Sequence, residues 1–128
     1  MALMYLLDTN IFLEILLDQE KKLVCQDFIS IHSEHVYISD FSLHSIAIIL
    51  IRYKKYDVLK EFYADIISKV DILTLPASQY ESLIDKVPHL DLDFDDIYQY
   101  SVAKQFDLTI VTMDTDFKKV SDVNVIFL

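Results

Sequence analysis

Residues Leu92–Phe117 read LDFDDIYQYSVAKQFDLTIVTMDTDF. Ile97, Tyr100, Ala103 and Lys104 recur at helical spacing, and the run LTIVT that follows, Leu108–Thr112, is too short for a helix but right for a buried strand. Aspartates bracket the unit, with Asp91, Asp93, Asp95 and Asp96 crowding the start of the helix and Asp114 and Asp116 following the strand. A helix that feeds a buried strand is one step of a parallel sheet, and carboxylates just past the strand stand where such sheets place their sites.

The rest of the chain repeats the pattern. Short apolar runs at LMYLL, HVYIS, VDILTL and VNVIFL predict four further strands, five in all. Helical stripes lie between them: Leu23, Phe28 and Ile31 within 20–33; Ile46, Ile49, Leu50 and Tyr53 after the second strand; Val58, Leu59, Phe62, Tyr63, Ile66 and Ile67 before the third. Ser78 and Glu81 have the spacing of a capping box ahead of another helix. Parallel neighbours require crossovers, so strands alternating with helices predict a three-layer α/β/α sandwich around a mainly parallel five-stranded sheet. With no repeat, linker or low-complexity segment, residues 1–128 read as one domain.

Composition narrows the chemistry. There is no glycine, which removes the phosphate-cradling loops of nucleotide-binding folds and the nucleophile elbow of serine hydrolases, and leaves turns to Asp, Asn and Ser. The single cysteine, Cys25, forms no internal bridge and reads as a small buried hydrophobe, in keeping with a cytoplasmic protein. The N-terminal apolar stretch has no basic leader and is interrupted by Asp8, Asn10 and Glu14, so no signal peptide is expected. The longest apolar run, Ile46–Ile51, is far below the roughly 20 residues of a membrane span.

A net charge of −10 argues against nucleic-acid binding through a broad basic surface, though it leaves room for a local patch. RYKKYDVLK, with Arg52, Lys54 and Lys55, reads equally as such a patch and as a solvated turn between helices. No two of the four histidines have metal-ligand spacing.

Polar residues at the predicted strand ends are Asp8 after the first strand, Ser39 and Asp40 after the second, and Thr112, Asp114 and Asp116 after the fourth. In a doubly wound sheet the first and fourth strands can be neighbours, which sets Asp8 across from Asp114, while Asp96 sits one turn into its helix on the same face as Tyr100. Two readings fit each cluster. Asp8 with Thr9 and Asn10 suits the N-cap of the first helix, and the aspartates at 91–96 suit a helix N-terminus. Alternatively, carboxylates held together in a partly dry cleft require either protonation or a cation, and an oxygen-only set without His or Cys suits Mg²⁺ or Mn²⁺.

YLLDTNIFLEILL, ISDFSLHSIAIIL and the stretch Leu92–Phe117 resemble, in order and over essentially the whole chain, the three signature regions of PIN domains. The resemblance implies a parallel α/β/α sandwich and, in active members, cleavage of single-stranded RNA with Mg²⁺ or Mn²⁺ held by acidic residues. Many members resemble VapC-type toxins, which implies a small antitoxin partner and a homodimer. Carried over by position, Asp8 matches the first acid, Asp96 the third and Asp114 the fourth, with Asp116 where some members have a further carboxylate. Asn10 and Thr112 match pocket-lining polar residues. The second acid, a glutamate in the family, is replaced by Ser45, with Asp40 about a turn and a half earlier. Lys118 and Lys119, just past the last acid, offer local positive charge for RNA.

Overall fold

A computed structural model describes residues 3–128. Its sheet contains β1 (Tyr5–Leu7), β2 (Val36–Ser39), β3 (Ile72–Leu73), β4 (Thr109–Thr112) and β5 (Val125–Phe127). The order is β3-β2-β1-β4-β5 with every pair parallel. The chain winds outward from β1 through β2 to β3, then crosses to the other side for β4 and β5, so the reversal falls between β1 and β4. Tyr5 pairs with Thr109 and Leu7 with Val111, and the Asp8 N–H extends that ladder to the Val111 carbonyl at 2.9 Å.

Among the described residues six helices cover the sheet: α1 (Thr9–Leu16), α2 (Lys22–Ile31), α3 (Asp40–Arg52), α4 (Tyr56–Lys69), α5 (Tyr80–Leu90) and α6 (Phe94–Phe106). Side chains along a strand alternate between faces, and the core divides accordingly. Tyr5, Leu7 and Val111 pack with Ile11, Phe12, Ile46, Leu50, Phe62 and Ile66 of α1, α3 and α4. Leu6 and Ile110 pack on the opposite face with Leu83 of α5 and Ile97, Tyr98 and Val102 of α6. The three layers follow directly from this division, as the sequence predicts.

Two local expectations are corrected. Of the stripe assigned to 20–33 only Phe28 faces the core: Leu23 and Ile31 are 72% and 75% exposed, while the fully buried Cys25 turns inward with Phe28 and Ile29 beside it. Phe28 meets the Tyr5 ring edge-on at 5.1 Å, and this anchor fixes the rotation of α2. The capping box does not form either. Residues 77–79 make a 3-10 turn and α5 begins at Tyr80, with Gln79 at its N-cap and no side-chain cap bond.

The absence of glycine leaves its mark at the turns. Asp18, Lys54, Asp91 and Asp107 adopt left-handed backbone, with φ of 54–56°. Three of the four are aspartates, whose short polar side chains tolerate this region better than most. Lys54, between α3 and α4, has no such advantage. Lys54→Gly is expected to raise stability by about 0.5–1 kcal/mol, measured by urea unfolding, with an unchanged or lower midpoint as the contrary result.

Candidate active site

The carboxyl ends of β1 and β4 open into a cleft of about 280 Å³ whose walls include Asp8, Asn10, Ser45, Asp95, Asp96, Gln99 and Asp114. Three elements deliver the acids, with Asp95 and Asp96 both on α6. Asp8 is the residue at which β1 gives way to α1, and its Oδ1 caps that helix by accepting from the Thr9 N–H at 2.9 Å. Capping and the cleft therefore share one residue, and the two readings open for Asp8 in the sequence are compatible. Asp114 follows β4 by two residues and caps a 3-10 turn, Thr115–Lys119, by accepting from the Asp116 N–H at 2.9 Å. Asp96 lies in the first turn of α6 and, unlike its neighbours Asp93 and Asp95, is buried.

Carboxylate oxygens of Asp96, Asp114 and Asp116 lie within 4.8 Å of one another. Asp8 faces the same cleft and is held by donors on both oxygens: Thr9 N–H and Gln99 Nε2 (3.0 Å) on Oδ1, and the Thr112 hydroxyl (2.8 Å) on Oδ2. Burial pushes the Asp8 carboxyl above the usual range, and the bonds from Gln99, Thr112 and Thr9 oppose that rise. Burial, with the charges of Asp95, Asp114, Asp8 and Asp116, pushes Asp96 up to about 7. The cleft thus gathers more negative charge than it can hold unaided near neutral pH. A divalent cation would remove that conflict, and the donor set is all oxygen, a set that suits Mg²⁺ or Mn²⁺.

The structure sorts the remaining expected residues. Asn10 and Thr112 reach the site: the Thr112 hydroxyl accepts from the Asp114 N–H at 2.9 Å while donating to Asp8, and Asn10 makes long contacts of 3.5 Å to Thr112 and 3.4 Å to the Met113 N–H. Ser45 lines the cleft and brings no charge. Asp40 does not reach it. Its Oδ1 accepts from the Tyr98 hydroxyl and the Phe41 N–H, and its Oδ2 from Thr74, so its carboxylate is fully engaged elsewhere. Ser39 is fully buried behind the cleft, where it caps α3 and bonds Gln99.

The basic residues stand apart from the cleft walls. Lys119 is committed to Asp91, at 2.8 Å to its carbonyl and 3.3 Å to its carboxylate. Lys118 lies over the Phe127 ring. Arg52 ends α3, about one turn past Ile49 on the cleft wall, and Lys54 and Lys55 follow in the exposed turn before α4; none of the three lines the cleft.

Gln99 is the site residue that the sequence pattern does not reveal. Tyr100 follows Asp96 by four residues on α6, but its hydroxyl turns away to Asp122 at 2.7 Å, and it is Gln99, three residues after Asp96, that enters the cleft. The signal available was an amide within a buried helix, where a polar side chain needs a partner.

A family model described as the PIN domain matches residues 5–123. No curated protein matches the chain. Among solved structures, the chain is similar to a chain of VapBC2 from Rickettsia felis, crystallised with a DNA fragment from its promoter, at 17% identity, covering 98% of this chain and 99% of that one with a TM-score of 0.78. It is similar to a chain of FitAcB from Neisseria gonorrhoeae at 24% identity, covering 98% and 97%, with a TM-score of 0.70. A toxin–antitoxin complex from Klebsiella pneumoniae matches at 18% identity over 95% of each chain, with a TM-score of 0.73. The family match spans nearly the whole chain and the parallel sheet agrees with these folds: the chain belongs to the PIN-domain family.

Proposed function

We propose that this protein is a divalent-metal-dependent endoribonuclease of the PIN type, acting on single-stranded RNA as the toxin of a toxin–antitoxin pair. The observation that carries the reading is the convergence of Asp96, Asp114 and Asp116 oxygens within 4.8 Å, with Asp8 on the same cleft, at the point where strand order reverses. Asp8, Asp96, Asp114 and Asp116 would hold Mg²⁺ or Mn²⁺. A cation there supplies activation of a water nucleophile and neutralisation of charge developing on the phosphodiester. The chain's own residues do the rest. Thr112 and Gln99 keep Asp8 aimed, the Asp116 N–H orients Asp114, and Asn10 borders the space left for the scissile phosphate.

Membership of the PIN family and likeness to a toxin–antitoxin complex support a small antitoxin protein as partner. The exposed Leu23 and Ile31 on α2 offer apolar surface for such a protein or for a second copy of the chain. Among the described residues no helix is long and apolar enough to cross a membrane, and the proposed location is the cytoplasm, where Cys25 stays reduced. Arg52, Lys54, Lys55, Lys118 and Lys119 are proposed RNA contacts only beyond the immediate cleft.

A second reading rests on one observation: Ser45 stands on the cleft wall where the family has glutamate. In that reading the chain is a PIN-like binding module without catalysis. Calorimetric titration with Mn²⁺ separates the two. The nuclease reading expects saturable uptake by the unaltered chain, tightened about tenfold in Ser45→Glu by the added charged donor. Absence of uptake by the unaltered chain, restored in Ser45→Glu, would favour the binding module.

A further inference from the structure

We infer that Gln99 is a positioning residue for Asp8, aiming that carboxylate at the cation site from behind through a hydrogen-bond relay that begins at a backbone amide. The inference rests on the cation-site reading above. Ser42 N–H donates to Ser39 Oγ at 3.0 Å, and a backbone N–H cannot be turned around. The Ser39 hydroxyl hydrogen is therefore free for Gln99 Oε1, at 2.6 Å. That bond and the acceptor-only Asp8 carboxylate together set which end of the amide faces Asp8. Gln99 Nε2 then gives one hydrogen to Asp8 Oδ1 at 3.0 Å and the other to Ser42 Oγ at 2.7 Å.

A second relay approaches from β4. Asp114 N–H donates to Thr112 Oγ1 at 2.9 Å, and Thr112 passes its hydroxyl hydrogen to Asp8 Oδ2 at 2.8 Å. Both relays present only donors to Asp8. Turning the Gln99 amide over would set Oε1 against Asp8 Oδ1, acceptor to acceptor, and would strand the Ser39 hydroxyl hydrogen without its Oε1 acceptor. Gln99 is 1% exposed, so solvent does not replace its bonds. Donors that orient a ligating carboxylate from outside the ligand set typically change cation affinity by about 10–100-fold. With Ser45 contributing no carboxylate, the aim of the remaining acids matters more.

The test is Mn²⁺ affinity, read from the electron paramagnetic resonance signal of free Mn²⁺, for the unaltered chain, Gln99→Met, Ser39→Ala and Val102→Ala. Gln99→Met keeps the length of the side chain and removes the amide, Ser39→Ala keeps Gln99 and removes the group that orients it, and Val102→Ala is a buried change in the same helix outside the relay. Expected are an affinity at least about tenfold weaker in Gln99→Met, a smaller loss in Ser39→Ala, and none in Val102→Ala despite a lower melting temperature. A purely structural Gln99 would lower the melting temperature and leave Mn²⁺ affinity of the folded protein unchanged, which overturns the inference. Should Gln99→Met not fold, Ser39→Ala against Val102→Ala decides it alone. No Mn²⁺ uptake by the unaltered chain would overturn the cation-site reading and this inference with it.

Discussion

Asp8→Asn is expected to lower Mn²⁺-dependent RNA cleavage by about 10²–10³-fold, corresponding to about 3–4 kcal/mol of lost transition-state stabilisation. The substitution preserves shape and removes charge, and it also breaks a hydrogen-bond pattern that accepts only an acceptor. Both Asp8 oxygens receive hydrogens, from Thr9 and Gln99 on one side and Thr112 on the other. An asparagine NH₂ must therefore point a donor at Gln99 Nε2, itself a donor, or at the Thr112 hydroxyl, which gives up its donation to accept it. The helix cap survives only if the amide oxygen stays beside the Thr9 N–H, which leaves the conflict on Thr112. Cleavage that persists in the variant at the rate of the unaltered chain would show that Asp8 is not part of the machinery.

Asp96→Asn is expected to do the opposite to stability. Asp96 is pushed up to about 7, chiefly by burial and then by Asp95, Asp114, Asp8 and Asp116. A carboxyl whose folded value lies above its unfolded value stabilises the fold fully at pH below the unfolded value, near 3.8, and that contribution is lost as pH rises towards 7. Without added cation, the variant should match the unaltered chain at pH 3.5 and exceed it by about 1–2 kcal/mol at pH 8, after allowance for screening at the open side of the cleft. That is a rise of several degrees in Tm at this chain length. Added Mn²⁺ should reverse the ranking, raising Tm of the unaltered chain and not that of the variant. Equal melting curves at pH 8 with and without Mn²⁺ would count against both the electrostatic conflict and its relief by a cation.

Much of the architecture was legible because it rests on short-range patterns. Leu6, between Tyr5 and Leu7, belongs to a strand buried on both faces, and such strands appear as unbroken apolar runs. Asp8 and Asp114 were legible as strand-end residues once the β1–β4 adjacency was assumed, and the sheet order makes that adjacency real. What the pattern concealed is rotational phase. Residues Asp96–Ala103 of α6 are buried all round, between the sheet and α5, so apolar periodicity does not say which way Gln99 or Tyr100 points. On α2 the phase is set by Phe28 against Tyr5, a contact 23 residues apart in sequence, and Leu23 and Ile31 end up outside. Asp40 was equally opaque, since Tyr98 and Thr74 claim its oxygens from distant parts of the chain. Ser45 is the departure that both sequence and structure expose. It stands on the cleft wall as expected of the second acid's position, with a hydroxyl in place of a carboxylate.

The most direct measurement is cleavage of mixed single-stranded RNA by the purified chain, with Mn²⁺ or with a chelator, beside Asp8→Asn prepared identically. The account predicts cleavage by the unaltered chain that requires Mn²⁺ and nearly disappears in the variant. Cleavage that ignores the chelator and survives Asp8→Asn, or no cleavage by the unaltered chain under saturating Mn²⁺, would contradict it.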